Sequence, residues 1–324
     1  MTLINNISSE LDKLNSEYSA KKFILAISGG VDSMVLLDCF NKLTLNIEVA
    51  HFNFQLRGKE SDQDEEMVKE ICSKNNIPFN RNTVNTNAYA LEKGLSIQEA
   101  ARELRYNWFF NLLKEKNADY IVTGHHADDS IETFFINLLR GSGIKGLCGI
   151  KNTKQIIRPL LPISRLEIEQ YAKISNVRFR NDSSNESLKY KRNFIRKKII
   201  PELNKEVESS SSSILKSIGH LTQAHEYLEK KLIEDAQKIT STAGNTIFIQ
   251  TKQPIEKIVL YSSLCKYGFN QSQVKSIHLN TQAIGKKHYS STHKLLVNRN
   301  QLVIQPLNME LAEVVEITSL GEYN

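Results

Sequence analysis

The residues best suited to chemistry stand in one run, Ser28-Gly29-Gly30-Val31-Asp32-Ser33, between an apolar stretch that begins at Phe23 and the helically spaced Met34, Val35, Leu36 and Leu37. A short apolar run ending in Ser-Gly-Gly and followed by helical spacing reads as a buried strand turning sharply into a helix. The bend then lies at a helix N-terminus. There the two glycines admit a ligand to the main chain, and unpaired N–H groups at the positive dipole end favour an anion such as phosphate. Ser28 and Ser33 add hydroxyls. Asp32 is repulsive to a phosphate unless a cation such as Mg²⁺ lies between them.

Two further polar clusters follow apolar runs in the same sense. The strand expected over residues 45–52 leads into Asn53-Phe54-Gln55-Leu56-Arg57, and the strand over 118–124 ends in His125-His126-Ala127-Asp128-Asp129. Strands alternating with helices imply parallel β-α-β units, whose ligands gather at the carboxyl ends of the strands. One site built from these three distant segments is therefore expected.

The elements that must position them follow from patterning. Ser61 and Asp64 have capping-box spacing before a helix through Cys72, and residues 78–84 are a weaker strand. A long helix over 96–117 carries Ala100, Leu104, Trp108 and Leu112 on one face and Gln98, Arg102 and Arg105 on its neighbour. A helix over 130–140 leads into Gly141-Ser142-Gly143-Ile144-Lys145-Gly146. That run matches G-x-G-x-x-G but follows a helix, so it reads as a mobile loop bringing Lys145 to a substrate, or as a plain connector. Residues 156–163 read as a strand closed by prolines, with Ser164 capping the next helix.

From Arg178 to Lys198 basic residues dominate, interleaved with Phe179, Tyr190, Asn193 and Phe194. This suits contact with phosphates and bases, while a solvated basic helix is the usual fate of such a run. A long helix over 214–239 holds the domain boundary, giving a catalytic domain over 1–215 and a helical linker with an accessory domain over 216–324. The latter is expected to contain a strand at 246–250, two helices and a hairpin over 294–304.

Composition narrows the class. The 324 residues are 40% hydrophobic and 24% charged, as in ordinary globular proteins, and the net charge of +6 permits a nucleic-acid partner. Cys39, Cys72, Cys148 and Cys265 form no C-x-x-C pair, which speaks against a disulfide framework and against zinc or iron–sulfur chemistry and favours a cytoplasmic setting. No signal peptide and no apolar run of spanning length is read, so no membrane partner is expected.

The bend lacks the lysine of G-x-x-x-x-G-K-[ST] and instead resembles the pyrophosphate-binding loop of the ATP pyrophosphatase (PP-loop) superfamily. Within that superfamily the chain resembles the tRNA isoleucine lysidine synthetase family. The stretches that carry the resemblance are residues 28–33, 51–57, 98–106 and 123–129, and Asp182-Ser183-Ser184-Asn185 followed by Arg192, Asn193 and Arg196. Phe54 stands where many members have His, and longer members carry an additional C-terminal domain.

The resemblance implies an α/β fold: a parallel-sheet nucleotide-binding (adenine nucleotide alpha hydrolase-like) domain, a long helical linker and a smaller α+β C-terminal domain. It implies ATP and Mg²⁺ as cofactors, with tRNA(Ile) bearing a CAU anticodon and free L-lysine as partners. Members adenylate the wobble cytidine and then displace AMP with lysine. Ser28, Gly29, Gly30, Val31 and Ser33 are then assigned to pyrophosphate, and Asp32 and Asp129 to Mg²⁺. His125 and Asp128 are set beside the nucleotide, Arg57 and Arg105 at the base or the lysine carboxylate. Lys145, Asn185, Arg192, Asn193 and Arg196 are assigned to tRNA. Glu132 and Asp129 are alternatives for the proton lysine must lose. The oligomeric state stays open, with a homodimer among the options. Other readings are a tRNA cytidine thiolase, which should carry cysteine pairs, a GMP or NAD synthetase, or a tRNA-binding module without catalysis.

Overall fold

The computed structural model describes residues 2–56, 58–180 and 191–307, which divide into two compact units at Thr222/Gln223, inside one long helix. The first unit runs α1 (Leu3–Leu14), β1 (Lys22–Ala26), α2 (Val31–Lys42), β2 (Asn46–Asn53), α3 (Lys59–Lys74), β3 (Phe79–Thr83), α4 (Thr86–Lys93), α5 (Ile97–Glu115) and β4 (Tyr120–Thr123). It continues through α6 (Ala127–Leu138), α7 (Ile144–Leu147), β5 (Ile156–Ile157), α8 (Arg165–Ile174), α9 (Lys191–Phe194), a π-helical stretch (Ile195–Ile199), α10 (Ile200–Glu206) and the start of α11 (Ser210–Ile239).

Its sheet has the order β3-β2-β1-β4-β5, every pair parallel. Strand residues point alternately to opposite faces, and both faces are apolar. Phe23, Leu25, Val49 and Val122 pack with Ile7, Leu36, Val68 and Ile168 on one side, and Ile24, Ala50 and Ile121 pack with Phe109, Leu112 and Leu113 on the other. Helices therefore cover both faces, as a parallel sheet requires. The chain steps outward from β1 to β2 and β3, then returns to the opposite edge of β1 as β4, which makes a topological switch point between the ends of β1 and β4.

The second unit carries β6 (Thr240–Ala243), β7 (Thr246–Gln250), α12 (Lys257–Leu264), α13 (Gln271–Leu279), β8 (Lys287–Tyr289), β9 (His293–Asn298) and β10 (Gln301–Pro306). Its sheet, β6-β7-β10-β9-β8, is antiparallel, and Leu260, Leu264, Val274 and Ile277 of the helices pack on Ile247, Ile249, Val297 and Leu302. An α/β domain followed by a smaller α+β unit is thus observed.

Several local readings change. Ser61 does not cap α3, which begins at Lys59 behind Gly58 with φ +53°, a conformation open to glycine. The strand expected over 156–163 is two residues long, because Pro159 and Pro162 cannot donate to a sheet ladder. The expected loop at Gly141 closes into the single turn α7, held by Asn137 Nδ2 donating to the Gly146 carbonyl at 2.7 Å.

Candidate active site

The switch point holds a cavity of about 420 Å³ whose lining draws on β1, α2, β2, α5, β4, α6 and α9. That volume suits a nucleotide-sized ligand.

The bend after β1 forms its rim. His51 on β2 bonds the Ile27 carbonyl through Nδ1 at 2.8 Å, which fixes the strand end. Ser33 Oγ donates to the Gly30 carbonyl at 2.9 Å and accepts from the Ser28 N–H at 3.2 Å, so the two serine hydroxyls stand 3.2 Å apart. Gly29 has φ +95°, and its carbonyl accepts from the Arg180 N–H at 3.0 Å. A side chain there would strain the backbone. Gly30 caps α2 without any side-chain bond, leaving first-turn N–H groups free for an anion, while Val31 turns its side chain into the core.

Gly124, which the sequence reading did not single out, is the second glycine the site needs. A Cβ there would lie 3.2 Å from both the Asp32 carbonyl carbon and the Ser33 nitrogen, so the end of β4 rests directly on the start of α2.

Acidic groups converge from both segments. His126, only 2% exposed, sits with Nε2 3.8 Å from Asp32 Oδ1 and 3.5 Å from Asp129 Oδ2, and its main-chain N–H donates to Asp129 Oδ2 at 3.1 Å. Burial, aided by the Asp129 charge, raises the Asp32 carboxyl above its ordinary range despite His126, Arg165 and Arg196. For Asp129 burial also pushes upward, but His126, His125 and Arg192 outweigh it and hold the carboxyl low. Among the described residues no group of three or more His, Cys, Asp or Glu is disposed to hold a metal. Two hard carboxylates that repel one another nevertheless fit Mg²⁺, which commonly takes one or two carboxylates and completes its shell with water and substrate phosphates.

Asp128 is turned away from the cavity. Its Oδ2 accepts the Arg165 N–H at 2.8 Å and lies 3.5 Å from His126 Nδ1, so it ties α8 to the site instead of lining it. His125 does line the cavity, with Nδ1 2.8 Å from Thr123 Oγ1. Burial, together with Arg158, Arg192 and Arg105, pushes it down to about 4, so the imidazole is neutral near pH 7.

The opposite wall is aromatic and cationic. Phe52 and Phe54 stack at 4.4 Å, and the Arg105 guanidinium lies 5.0 Å over the Phe54 ring. Phe54 thus offers an aromatic face at the cavity, covered by the Arg105 guanidinium.

The basic segment does two jobs. Arg196 grips Glu132 through Nε at 2.5 Å and Nη2 at 3.1 Å and reaches Asp129 Oδ1 at 3.4 Å. Arg192 meets Glu132 at 3.2 Å and Thr133 Oγ1 at 3.0 Å, and lines the cavity. Glu132 is fully buried between them, with burial raising its carboxyl against the pull of Arg196. Part of the run read as an RNA surface is therefore a wall of the site. Asn193 is buried, and Lys145 is exposed on α7 and absent from the cavity lining. Arg57 and Asn185 lie outside the described residues.

Two cations were not singled out from sequence. Arg158, buried after β5, donates to the Lys151 carbonyl, and Arg165 bonds Asp32. The strand-end rule applied to residues 156–157 points to the first, and a cation at the positive end of α8 is the signal for the second.

A parallel sheet with a Ser-Gly-Gly-Val-Asp-Ser bend at its switch point defines an ATP-utilising PP-loop domain, and the PP-loop domain model matches residues 3–203. A second model, the TilS substrate binding domain, matches residues 244–307. The chain is similar to tRNA(Ile)-lysidine synthase of Porphyromonas gingivalis (37% identical over 92% of this chain and 66% of that protein) and of Bacteroides thetaiotaomicron (38%, 89% and 68%). It belongs to the tRNA(Ile)-lysidine synthase family, and spans about two thirds of the length of these curated relatives. Among solved structures, the U34-tRNA thiolase NcsA from Methanococcus maripaludis shares the fold, with a TM-score of 0.56 at 20% identity over 68% of this chain and 78% of that one.

Proposed function

We propose that the chain joins free L-lysine to the wobble cytidine of the CAU anticodon of tRNA(Ile), cleaving ATP to AMP and pyrophosphate. The single observation behind this reading is that the pyrophosphate bend, Asp129 and Arg192 line one cavity, which supports a site that holds a nucleotide beside the basic segment. The name of the relatives, tRNA(Ile)-lysidine synthase, supplies the RNA and the amino acid.

In the first step the cytosine carbonyl oxygen attacks the α-phosphorus and pyrophosphate leaves. Such transfers need positioning and charge stabilisation more than covalent help. The first-turn N–H groups of α2 and the Ser28 and Ser33 hydroxyls gather the leaving charge. Asp32 and Asp129 would hold Mg²⁺, which would supply charge neutralisation there. Arg105 over Phe54 offers a flat cation and an aromatic face suited to a planar base.

In the second step the lysine ε-amine attacks the activated carbon and AMP departs. The ammonium must first lose a proton. Asp129, which lines the cavity, and Glu132, buried between two arginines, are the two carboxylates at that end of the site, and the reading does not choose between them for the proton. A cytoplasmic setting belongs to the same reading, with Cys39, Cys72, Cys148 and Cys265 all free thiols.

The test combines purified protein, ATP, Mg²⁺ and radiolabelled lysine with a CAU-anticodon tRNA(Ile) transcript. Label should enter the RNA with one AMP formed per lysine. Intact tRNA binding without label would overturn catalysis in favour of a binding module.

A further inference from the structure

Asp32, the carboxylate that must meet a cation, already has one. Arg165 Nη1 lies 2.7 Å from Asp32 Oδ1 and 2.6 Å from Oδ2, so one guanidinium nitrogen covers both oxygens. Its Nε bonds Glu169 Oε1 at 2.7 Å, four residues on, and its main-chain N–H donates to Asp128 Oδ2 at 2.8 Å. Arg165 is the first residue of α8, where the helix dipole disfavours a positive side chain. Glu169 of the same helix holds Nε, and Asp32 is the partner that holds Nη1. The side chain is 34% exposed, so nothing packs it immovably in that position.

Resting on the reading of the cavity as an ATP site, we propose that Arg165 is the resident counter-cation of Asp32, blocking divalent metal at that carboxylate until nucleotide arrives. An arginine and a divalent ion compete for the same two oxygens. While Arg165 holds them, metal alone gains little. A triphosphate is a stronger and geometrically better partner for a guanidinium than a single carboxylate oxygen pair shared on one nitrogen. Nucleotide therefore draws Nη1 from Asp32 as it delivers its own metal, while Glu169 keeps hold of Nε. Metal and nucleotide enter together, and Arg165 becomes a positioning residue for the phosphates.

The experiment titrates Mn²⁺ alone into the full chain without nucleotide, counting free Mn²⁺ by electron paramagnetic resonance. Arg165→Gln should bind Mn²⁺ about tenfold more tightly than the wild type, because the competent state is no longer a minority. The double variant Arg165→Gln/Asp32→Asn should lose that gain. Equal Mn²⁺ affinity in wild type and Arg165→Gln, or a gain that survives Asp32→Asn, overturns the proposal. If Arg165→Gln does not fold, as judged by thermal unfolding, the wild-type background decides. There Asp32→Asn should leave nucleotide-free Mn²⁺ binding unchanged, and severalfold weakening refutes the block. A parallel titration with ATP separates this from the parent reading: absent ATP binding by the wild type sinks the ATP site itself, whereas normal ATP binding with unaltered Mn²⁺ affinity sinks only the role of Arg165.

Discussion

The two units bury different things. Among the described residues the first closes Glu48, Asp64, Glu65, His126, Asp129, Glu132 and Arg158 away from solvent, whereas the buried polar residues of the second are Thr251 and Ser263. A buried charge is tolerated only where it is paired and hydrogen-bonded. The first unit accordingly places its cations against those carboxylates, Arg196 on Glu132 and Lys22 on Glu48. Its stability and its chemistry share residues. The second is an apolar core under a polar skin, the form suited to presenting a surface.

The sharpest test of that contrast is Asp32→Ala. It should lower AMP formation by about a thousandfold, the scale on which a preorganised charge acts, while filter-binding affinity for tRNA changes less than about twofold. Equal losses in both would erase the distinction. Leu302→Ala empties a fully buried position in the second unit and should cost about 3 kcal/mol there. In a urea titration followed at both units, the second should melt early while ATP binding persists. Glu132→Ala leaves Arg192 and Arg196 without their shared carboxylate. Both arginines are partly exposed, so water takes up part of the loss, and about 2 kcal/mol is expected instead of the ~3–5 kcal/mol of a fully buried pair. Unlike Leu302→Ala, it should also impair AMP formation.

The smallest effect concerns pH. Burial works to raise the Glu48 carboxyl, but Lys22 at 2.8 Å and Asn80 at 2.8 Å outweigh it and lower the folded value below the ordinary 4.5. A group lowered on folding contributes above its unfolded value and loses that contribution as pH falls through the folded one. Glu48→Gln should therefore be about 1 kcal/mol less stable near neutrality, with the gap closing below pH 4.5 in thermal melts. A gap that persists at lower pH would remove the charge from the explanation.

What was legible in sequence was local. The unbroken apolar run from Phe23 to Ile27 and the glycines after it specify a strand, a bend and a helix, and the same logic located His125 and Asp129. What was hidden depends on how distant segments meet. Nothing near Asp128 in the chain says that its carboxylate turns to the N–H of Arg165, thirty-seven residues away. Gly124 matters only because α2 lies against it. Arg192 and Arg196 read as a solvated or RNA-facing run until Glu132 is known to stand between them. The π-helical turn at Ile195–Ile199, which contains Arg196, was not read from residue type, although such turns are frequent at functional sites.

The pairing of β1 with β4 has a consequence for the nascent chain. Phe23 aligns with Tyr120, nearly a hundred residues later, so the bend emerges from the ribosome long before its acidic counterpart. Contacts that distant close slowly. During synthesis the first three strands can assemble into a half-sheet whose bend still lacks Gly124 behind it and Asp129 beside it. The cavity is therefore complete only after the polypeptide has passed that point, and a ribosome-stalled fragment ending before β4 carries the bend without the residues that close the cavity around it.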